Sequence, residues 1–251
     1  MMKKNDYETA ARWIDEAKRM VAFTGAGISV ESGIPTFRGP TGLWSRYDPR
    51  ILDLRYFHEH PRESWQAIKE IFYDYMGVHA RPNAAHRLLA ILEKEGRLQG
   101  VITQNIDNLH QKAGSRNVVE FHGTAQNLEC TVCRKKWEFT EALICNRPPL
   151  CPECGGLLKP DFIFFGEAIP PEAYRRSVEL CEAADLLMIV GTTGEVMPAS
   201  MIPFEVRGAK VIEINVEPSR YTEDLTDIFL NDRATVAAKE LAQRLGWGKI
   251  G

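Results

Sequence analysis

The sequence predicts an α/β protein, with a Rossmann-like parallel sheet that has helices on both faces and with a second, smaller domain. Short unbroken apolar runs alternate with helical patterns along most of the chain, as is typical of strands buried between two layers of helices. Two segments break this alternation: one is aromatic and helical, the other rich in cysteine. Ligands of open parallel sheets bind beyond the carboxyl ends of the strands, so we expect the functional site there.

The first predicted elements lead into a glycine turn. Apolar residues at helical spacing predict an amphipathic helix over residues 7–19. The apolar run at residues 20–23 ends in the string TGAG at residues 24–27, which indicates a buried strand, a turn and a helix from about Ile28. Further strands are predicted at residues 100–103, 117–121, 186–190 and 211–215, and further helices at residues 83–95, 171–182 and 234–245.

The two interrupting segments divide the chain into a large and a small domain. The aromatic helical segment covers residues 48–77 and the cysteine-bearing segment covers residues 128–158. We expect them to pack together as the second, smaller domain, with a helical module at residues 48–77 and a cysteine-bearing module at residues 128–158. The Rossmann-like domain is then discontinuous and comprises residues 1–47, 78–127 and 159–251.

Composition and charge exclude several classes of protein. Of the 251 residues, 44% are hydrophobic and 26% charged, which is ordinary for a globular protein with a substantial core. The net charge of −3 argues against binding nucleic acid through bulk charge, so no direct nucleic-acid partner is expected. No apolar run approaches the roughly 20 residues of a membrane span, and the N-terminus lacks the apolar stretch of a signal peptide. We therefore expect a soluble, cytoplasmic protein without a membrane partner.

Four of the six cysteines form two Cys-x-x-Cys pairs, which predict a metal site. The pairs are separated by 17 residues, a spacing that fits a zinc ribbon. Four thiolates close a tetrahedral coordination sphere and leave no position for water, so we expect one structural Zn²⁺. Cys145 and Cys181 stand apart and are interpreted as surface or core thiols. The predicted metal ligands are Cys130, Cys133, Cys151 and Cys154.

The turn Gly25-Ala26-Gly27 has the shape of a dinucleotide-binding turn. Glycines allow the backbone to approach a pyrophosphate, and a helix that follows offers free amide groups. The third glycine of the usual Gly-x-Gly-x-x-Gly is replaced by Val30, so the turn alone is a weak indication.

A longer string is far more specific. The sequence GAGISVESGIPTFR, residues 25–38, closely resembles the cofactor-binding signature of the sirtuins, which are NAD-dependent protein-lysine deacylases. Further sirtuin-like strings follow in the expected order, and the resemblance extends from about Ala17 to the last helix. They are PNxxH at residues 82–86, TQNIDNLH at 103–110, EFHG at 120–123, the cysteine pairs, PDxxxFGE at 160–167, GTT at 191–193 and IN at 214–215.

The resemblance implies a cleft between the two domains, which NAD and an acyl-lysine protein enter from opposite sides. His122 and Asn105 would be catalytic, with His122 as general base, since an imidazole titrates near neutral pH. The products would be nicotinamide, free lysine and 2′-O-acyl-ADP-ribose. The residues implied to bind NAD are Gly25, Ala26, Gly27, Ser29, Phe37, Arg38, Gln104, Asn105, Ile106, Asp107, Gly191, Thr192, Thr193 and Asn215.

The same resemblance implies individual roles and a groove for the substrate peptide. Arg38 would neutralise the pyrophosphate, and Asp107 would accept a hydrogen bond from the nicotinamide carboxamide. The peptide would pair as an added strand in the cleft. The groove residues would be Phe162, Phe165, Gly166, Glu167 and Val196.

Four positions are informative about how the chain departs from family patterns. Thr193 replaces the usual serine but keeps a hydroxyl, and Glu195 puts a negative charge near the groove, which would favour basic substrate flanks. Sirtuins that prefer succinyl or malonyl groups carry a Tyr-x-x-Arg pair, and the positions that we align with it are Ile68 and Ile71. Without a cation, an acidic acyl group would be buried unpaired, so we expect acetyl or longer apolar acyl groups.

Two other functions stay open from the sequence. Transfer of ADP-ribose from NAD to a protein side chain would use much the same pocket. A non-catalytic zinc-ribbon module that binds a partner or DNA would suit the basic run at residues 134–136 beside Trp137, although flanking glutamates cancel much of its charge. The sequence does not predict an oligomeric state.

Overall fold

The computed structural model describes residues 2–37, 42–75, 80–145, 148–248 and 250. Nine strands form two sheets within these residues. They are β1 (Met20–Thr24), β2 (Leu98–Thr103), β3 (Val118–Glu120), β4 (Gly123–Cys130), β5 (Lys136–Glu138), β6 (Leu158–Phe162), β7 (Leu186–Val190), β8 (Lys210–Asn215) and β9 (Ile228–Asn231).

The larger sheet has six parallel strands in the order β3-β2-β1-β7-β8-β9. Strands β2 and β3 lie on one side of β1, and strands β7, β8 and β9 lie on its other side. The order of the strands therefore reverses between β1 and β7, where Thr24 lies beside Val190. In open parallel sheets, the carboxyl end of such a switch point is where ligands bind.

Helices cover both faces of this sheet. The strands supply alternate side chains to the two layers: Met20 and Ala22 of β1 pack in one buried cluster, and Val21 and Phe23 in the other. The helices described are α1 (Met2–Glu16), α2 (Leu54–Glu59), α3 (Pro61–Ile68), α4 (Ala84–Lys94), α5 (Leu109–Ala113), α6 (Glu141–Ile144), α7 (Pro171–Ala183), α8 (Tyr221–Asp224) and α9 (Ala234–Arg244). This arrangement confirms the predicted fold class.

The smaller sheet and the helical segment share one core. β4 pairs antiparallel with both β5 and β6. Trp65 of α3 is fully buried, and its indole N–H donates to the Leu158 carbonyl of β6 at 2.8 Å. The ring of Tyr73 stacks on Phe139 with 4.4 Å between centroids. The helical and cysteine-bearing segments therefore pack against each other.

Several predicted boundaries differ from the structure. The glycine turn leads into a 3₁₀ helix, Ala26–Ser32, rather than an α-helix, and it ends at Gly33 in the left-handed conformation. The side-chain amide of Asn83 donates to the Ile28 carbonyl at 2.8 Å, which fixes this short helix to the start of α4. Strand β9 had no counterpart among the predicted strands. Across the described residues, no helix is long and apolar enough to cross a membrane.

Candidate functional site

Two glycine segments approach each other at the switch point beyond β1 and β7. The Gly27 amide donates to the Gly191 carbonyl at 2.8 Å. A Cβ atom on Gly27 would lie 2.6 Å from the Gly191 Cα, and one on Gly191 would lie 2.3 Å from the Ile28 nitrogen. Gly191 also has φ +64°, which disfavours other residues. This close backbone approach forms what we call the glycine cradle, at the position where the sequence predicts a pyrophosphate site.

A cleft of about 910 Å³ extends from the glycine cradle to a group of aromatic residues that includes Phe37, Phe72 and Phe164. It therefore joins a polar, glycine-lined end to an apolar end. The predicted site residues that line it are Gly25, Ala26, Gly27, Phe37, Gln104, Asn105, Ile106, His122, Phe162, Phe165, Gly166, Glu167, Gly191, Thr192, Thr193, Val196 and Asn215.

Polar side chains at the ends of β2, β7 and β8 are bonded to one another. The Gln104 side-chain amide donates to the Thr192 hydroxyl at 3.0 Å. The Asn215 side-chain amide donates to the Thr192 carbonyl, also at 3.0 Å. These contacts fix three predicted NAD ligands relative to one another before any ligand binds.

Asn105 connects the cleft to a buried network. Its side-chain amide donates to the Gly25 carbonyl at 3.1 Å and to the Ser29 hydroxyl at 3.2 Å. Ser29 in turn donates to an Asp107 carboxylate oxygen at 2.7 Å, and the other oxygen accepts from the Leu109 amide. Burial raises the pKa of Asp107. Ser29 and Asp107 are absent from the described lining of the cleft, so they lie one and two hydrogen bonds behind Asn105.

His122 follows β3 and lies half-buried at the cleft wall. Its Nδ1 donates to the Gln104 carbonyl at 3.0 Å, since a carbonyl oxygen only accepts. In the neutral ring, Nε2 is therefore free of a proton. Burial lowers the pKa of His122, which favours this neutral form. Nε2 can therefore accept a proton at neutral pH.

Residues 162–167 begin at the last residue of β6 and lie at the apolar end of the cleft. We call them the substrate loop. The Phe165 amide donates to the Leu52 carbonyl at 2.8 Å, and its own carbonyl accepts from the Leu54 amide at 3.1 Å. The Phe165 side chain is 49% exposed. Val196 and Met197 also line the cleft and are likewise exposed apolar residues.

The charged residues that line the cleft determine whether an acidic acyl group would find a cation there. Among the lining residues that the structure describes, Arg233 is the single cation, and it lies with Asp232 beyond β9, on the large domain rather than in the aromatic wall. Ile68 and Ile71 do not line the described cleft; both are buried in the small-domain core. The apolar wall itself consists of Phe37, Trp44, Leu52, Phe72, Ile106, Phe162 and Phe164.

Some lining residues had no signal that we recognised in the sequence. Asp232 and Arg233 follow β9, which was not predicted as a strand. Because ligands bind beyond the carboxyl ends of parallel strands, a prediction of β9 would have marked these two residues as candidates. Trp44 and Leu52 come from segments with no strand or motif to mark them. Arg38 lies outside the described residues.

The four predicted metal ligands converge at one point. Their sulfur atoms all lie within 4.8 Å of one another. The Cys130–Cys154 and Cys133–Cys151 sulfur distances are 3.4 and 3.9 Å. Zn–S bonds of about 2.3 Å in a tetrahedron place sulfur atoms about 3.8 Å apart, so the cluster fits one Zn²⁺. The Val132 amide lies 3.4 Å from the Cys130 sulfur, as in a site where backbone N–H groups support the thiolates.

Comparisons with known proteins agree with this geometry. Residues 25–198 match the Sir2 family. An NAD-dependent protein deacylase of Aeropyrum pernix is 45% identical, with 94% of this chain and 96% of that protein covered. An NAD-dependent protein deacetylase of Pyrobaculum aerophilum is 41% identical, with 96% and 95% covered.

Solved structures give the same result. A structure of Sir2 with a p53 peptide and NAD⁺ superposes with a TM-score of 0.87 at 36% identity, and covers 95% of this chain and 98% of its own. A mutant Sir2 homologue in complex with ADP-ribose has a TM-score of 0.90 at 38% identity, with 95% and 96% covered. The matched residues include the glycine cradle, His122 and all four cysteines, and the chain belongs to the Sir2 family, the sirtuins.

Proposed function

We propose that this chain is an NAD-dependent protein-lysine deacylase that transfers the acyl group to ADP-ribose and releases nicotinamide and free lysine. The observation that carries the proposal is the single cleft that joins the glycine cradle to an aromatic wall, with His122 between them. Membership of the Sir2 family and relatives named as deacylases and deacetylases support it.

The residues of the cleft divide the work. NAD, when bound, supplies the ribose carbon that loses nicotinamide and accepts the acyl oxygen. We assign the pyrophosphate to the glycine cradle, together with Arg38, and the ribose next to nicotinamide to Gln104. Asn105 would be oriented by its bonds to Gly25 and Ser29. Nε2 of His122 would take a proton from the ribose hydroxyls, because its lone pair is free at neutral pH.

An acyl-lysine peptide fits the apolar end. The added peptide strand would lie between the substrate loop and Val196, as main-chain pairing at a sheet edge generally allows. Phe165 and Val196, both exposed and both in the lining of the cleft, would enclose the methylene stem of the lysine. Glu195 at the same opening would favour substrates with basic flanks.

Acetyl and longer apolar acyl groups suit this cleft better than acidic ones. Its aromatic wall supplies no cation among the described residues, while Glu195 adds negative charge at the opening. A buried, unpaired carboxylate is costly, so succinyl and malonyl groups would bind weakly. The preference rests on this wall and not on Ile68 and Ile71, which are core residues.

The cytoplasm is the proposed place of action. The metal cluster needs four reduced thiolates, which reducing compartments maintain.

The test is to incubate the purified protein with an acetyl-lysine peptide, with and without NAD, and to follow the products by mass spectrometry. Loss of the acetyl group only with NAD, together with O-acetyl-ADP-ribose, is the expected result. Butyryl and succinyl peptides in parallel test the acyl preference, and equal turnover of the succinyl peptide would contradict it. Nicotinamide release with ADP-ribose added to protein, and no deacylation, would instead identify ADP-ribosyl transfer.

A further inference from the structure

We infer that Lys159 is a positioning residue: it holds the substrate loop in its peptide-binding shape through Glu167, and thereby sets the affinity for the acyl-lysine peptide. The inference rests on the proposed function and deepens it. Lys159 makes none of the contacts assigned above to NAD, to the acyl group or to catalysis.

Lys159 is a buried cation whose hydrogen bonds are all directed at the substrate loop and the strand before it. The residue is 8% exposed, which is rare for lysine. Its ammonium donates to the carbonyls of Pro160 and Phe162, both at 2.8 Å, and lies 3.0 Å from a Glu167 carboxylate oxygen. An ammonium group has three N–H donors, and all three are thus used. It also lies 4.3 Å from the centre of the Phe164 ring.

Glu167 transmits this contact to the loop. The carboxylate oxygen that pairs with Lys159 also accepts from the Phe164 amide at 2.7 Å. The Glu167 amide donates back to the Phe164 carbonyl at 3.0 Å. The turn so closed contains Gly166 at φ +90°, a conformation that glycine allows. The orientation of the Glu167 side chain therefore determines the shape of the turn.

The loop has two further supports that do not involve Lys159. The Ile163 amide donates to the His122 carbonyl at 2.8 Å, and the Phe165 backbone bonds to Leu52 and Leu54. Loss of Lys159 would also remove a hydrogen bond from Phe162, but Phe162 stays paired with Gly123 of β4, so the Glu167 end is the one released. The glycine cradle lies beyond β1 and β7 and shares no hydrogen bond with Lys159 among the described residues, so NAD binding should not change.

The ion pair lies in a partition between two cavities. Glu167 lines the active-site cleft and also a second cavity of about 600 Å³, which Lys159 lines as well. A buried carboxylate that loses its cation gains by turning towards water. Without Lys159, the second cavity offers Glu167 such a path, and the turn would open on that side.

The test is Lys159→Met, which keeps the apolar stem and removes the charge. Peptide affinity is measured by fluorescence anisotropy of a labelled acetyl-lysine peptide and by the peptide KM; NAD affinity is measured by calorimetry. We expect the peptide Kd and KM to rise about tenfold or more, which corresponds to about 1.4 kcal/mol. NAD affinity and zinc content should match the wild type, and Lys159→Arg should restore part of the peptide affinity.

Lys136→Met is the matched control. Lys136 also forms an ion pair with a residue of β6, Asp161, at 2.8 Å, but its side chain is 57% exposed. Exposed pairs contribute little, so its peptide KM should equal that of the wild type. The double variant Lys159→Met with Glu167→Gln should have the same peptide Kd as whichever single variant binds peptide less tightly. The two effects should not add, because both changes remove the same contact.

Two results would overturn the inference: an unchanged peptide Kd in Lys159→Met, or an equal loss of NAD and peptide affinity, which would indicate general damage. If Lys159→Met does not fold, Lys159→Gln provides the same test, because it removes the charge and keeps N–H donors for the Pro160 and Phe162 carbonyls; an unchanged peptide Kd would again contradict the inference. Failure of the proposed function gives a different result from failure of this inference. If the proposed function is wrong, the wild-type protein itself deacylates no peptide; if only the inference is wrong, the wild type is active and the peptide Kd of Lys159→Met is unchanged.

Discussion

The imidazole of His122 is bonded to the backbone of Gln104, with 3.0 Å between Nδ1 and the carbonyl oxygen. The side chain of the same glutamine reaches Thr192 at the end of β7. Gln104 thus connects the candidate base with the part of the cleft assigned to NAD. Because the carbonyl fixes the proton on Nδ1, the ring is held in the tautomer that a base at Nε2 requires.

Replacement of His122 by alanine tests the role of this base. We expect kcat/KM for an acetyl-lysine peptide to fall by roughly 10²- to 10⁴-fold, the usual contribution of general base catalysis. Zinc content and NAD affinity should be unchanged. His58→Ala, at an exposed position on α2, is the control and should retain full activity. Turnover close to normal in His122→Ala would exclude this residue as the base.

The pH dependence of activity should show the depressed pKa of His122. A general base works unprotonated, and burial lowers the pKa of this imidazole below its usual 6.5. Activity should therefore persist as pH falls through 6.5 and be lost only as it passes through the lower pKa of the folded protein. A profile of kcat/KM from about pH 5 to pH 8 measures this. An acidic limb centred at or above 6.5 would contradict the prediction.

A methyl group in the glycine cradle should impair NAD binding. In Gly27→Ala, the new Cβ would meet the Gly191 Cα at 2.6 Å, so the two backbone segments must separate. We expect NAD affinity to fall by about tenfold or more and the melting temperature to drop. Gly248→Ala is the control, since no atom lies within 4 Å of its added Cβ. Wild-type NAD affinity in Gly27→Ala would show that the cradle does not hold the cofactor.

The cysteine cluster should be necessary for the small domain. Cys151→Ser removes one of four ligands, and structural zinc in small modules contributes on the order of 10 kcal/mol. We expect zinc loss by mass spectrometry, a lower melting temperature and loss of peptide binding. Cys145→Ser changes an exposed thiol outside the cluster and should alter none of these. Full zinc content in Cys151→Ser would contradict the predicted ligand set.

The strands of the large sheet were predictable because buried parallel strands are continuous apolar runs. The run at residues 186–190 became β7 with the predicted bounds. Contacts between distant residues were not predictable. Ser29 and Asp107 are 78 residues apart, and no spacing in the sequence indicates that they bond to each other behind Asn105. The ion pair between Lys159 and Glu167 was not predictable either, because only the folded loop brings the two charged groups to 3.0 Å.

The pairing of β4 with β6 has a consequence for how members of this family can diverge. The two strands run side by side from Gly123 and Phe162 to Cys130 and Leu158. The chain thus leaves the large domain and returns to it at adjacent points. A segment inserted in this way can change in length or be exchanged without rerouting the parallel sheet, as is common for tolerated domain insertions.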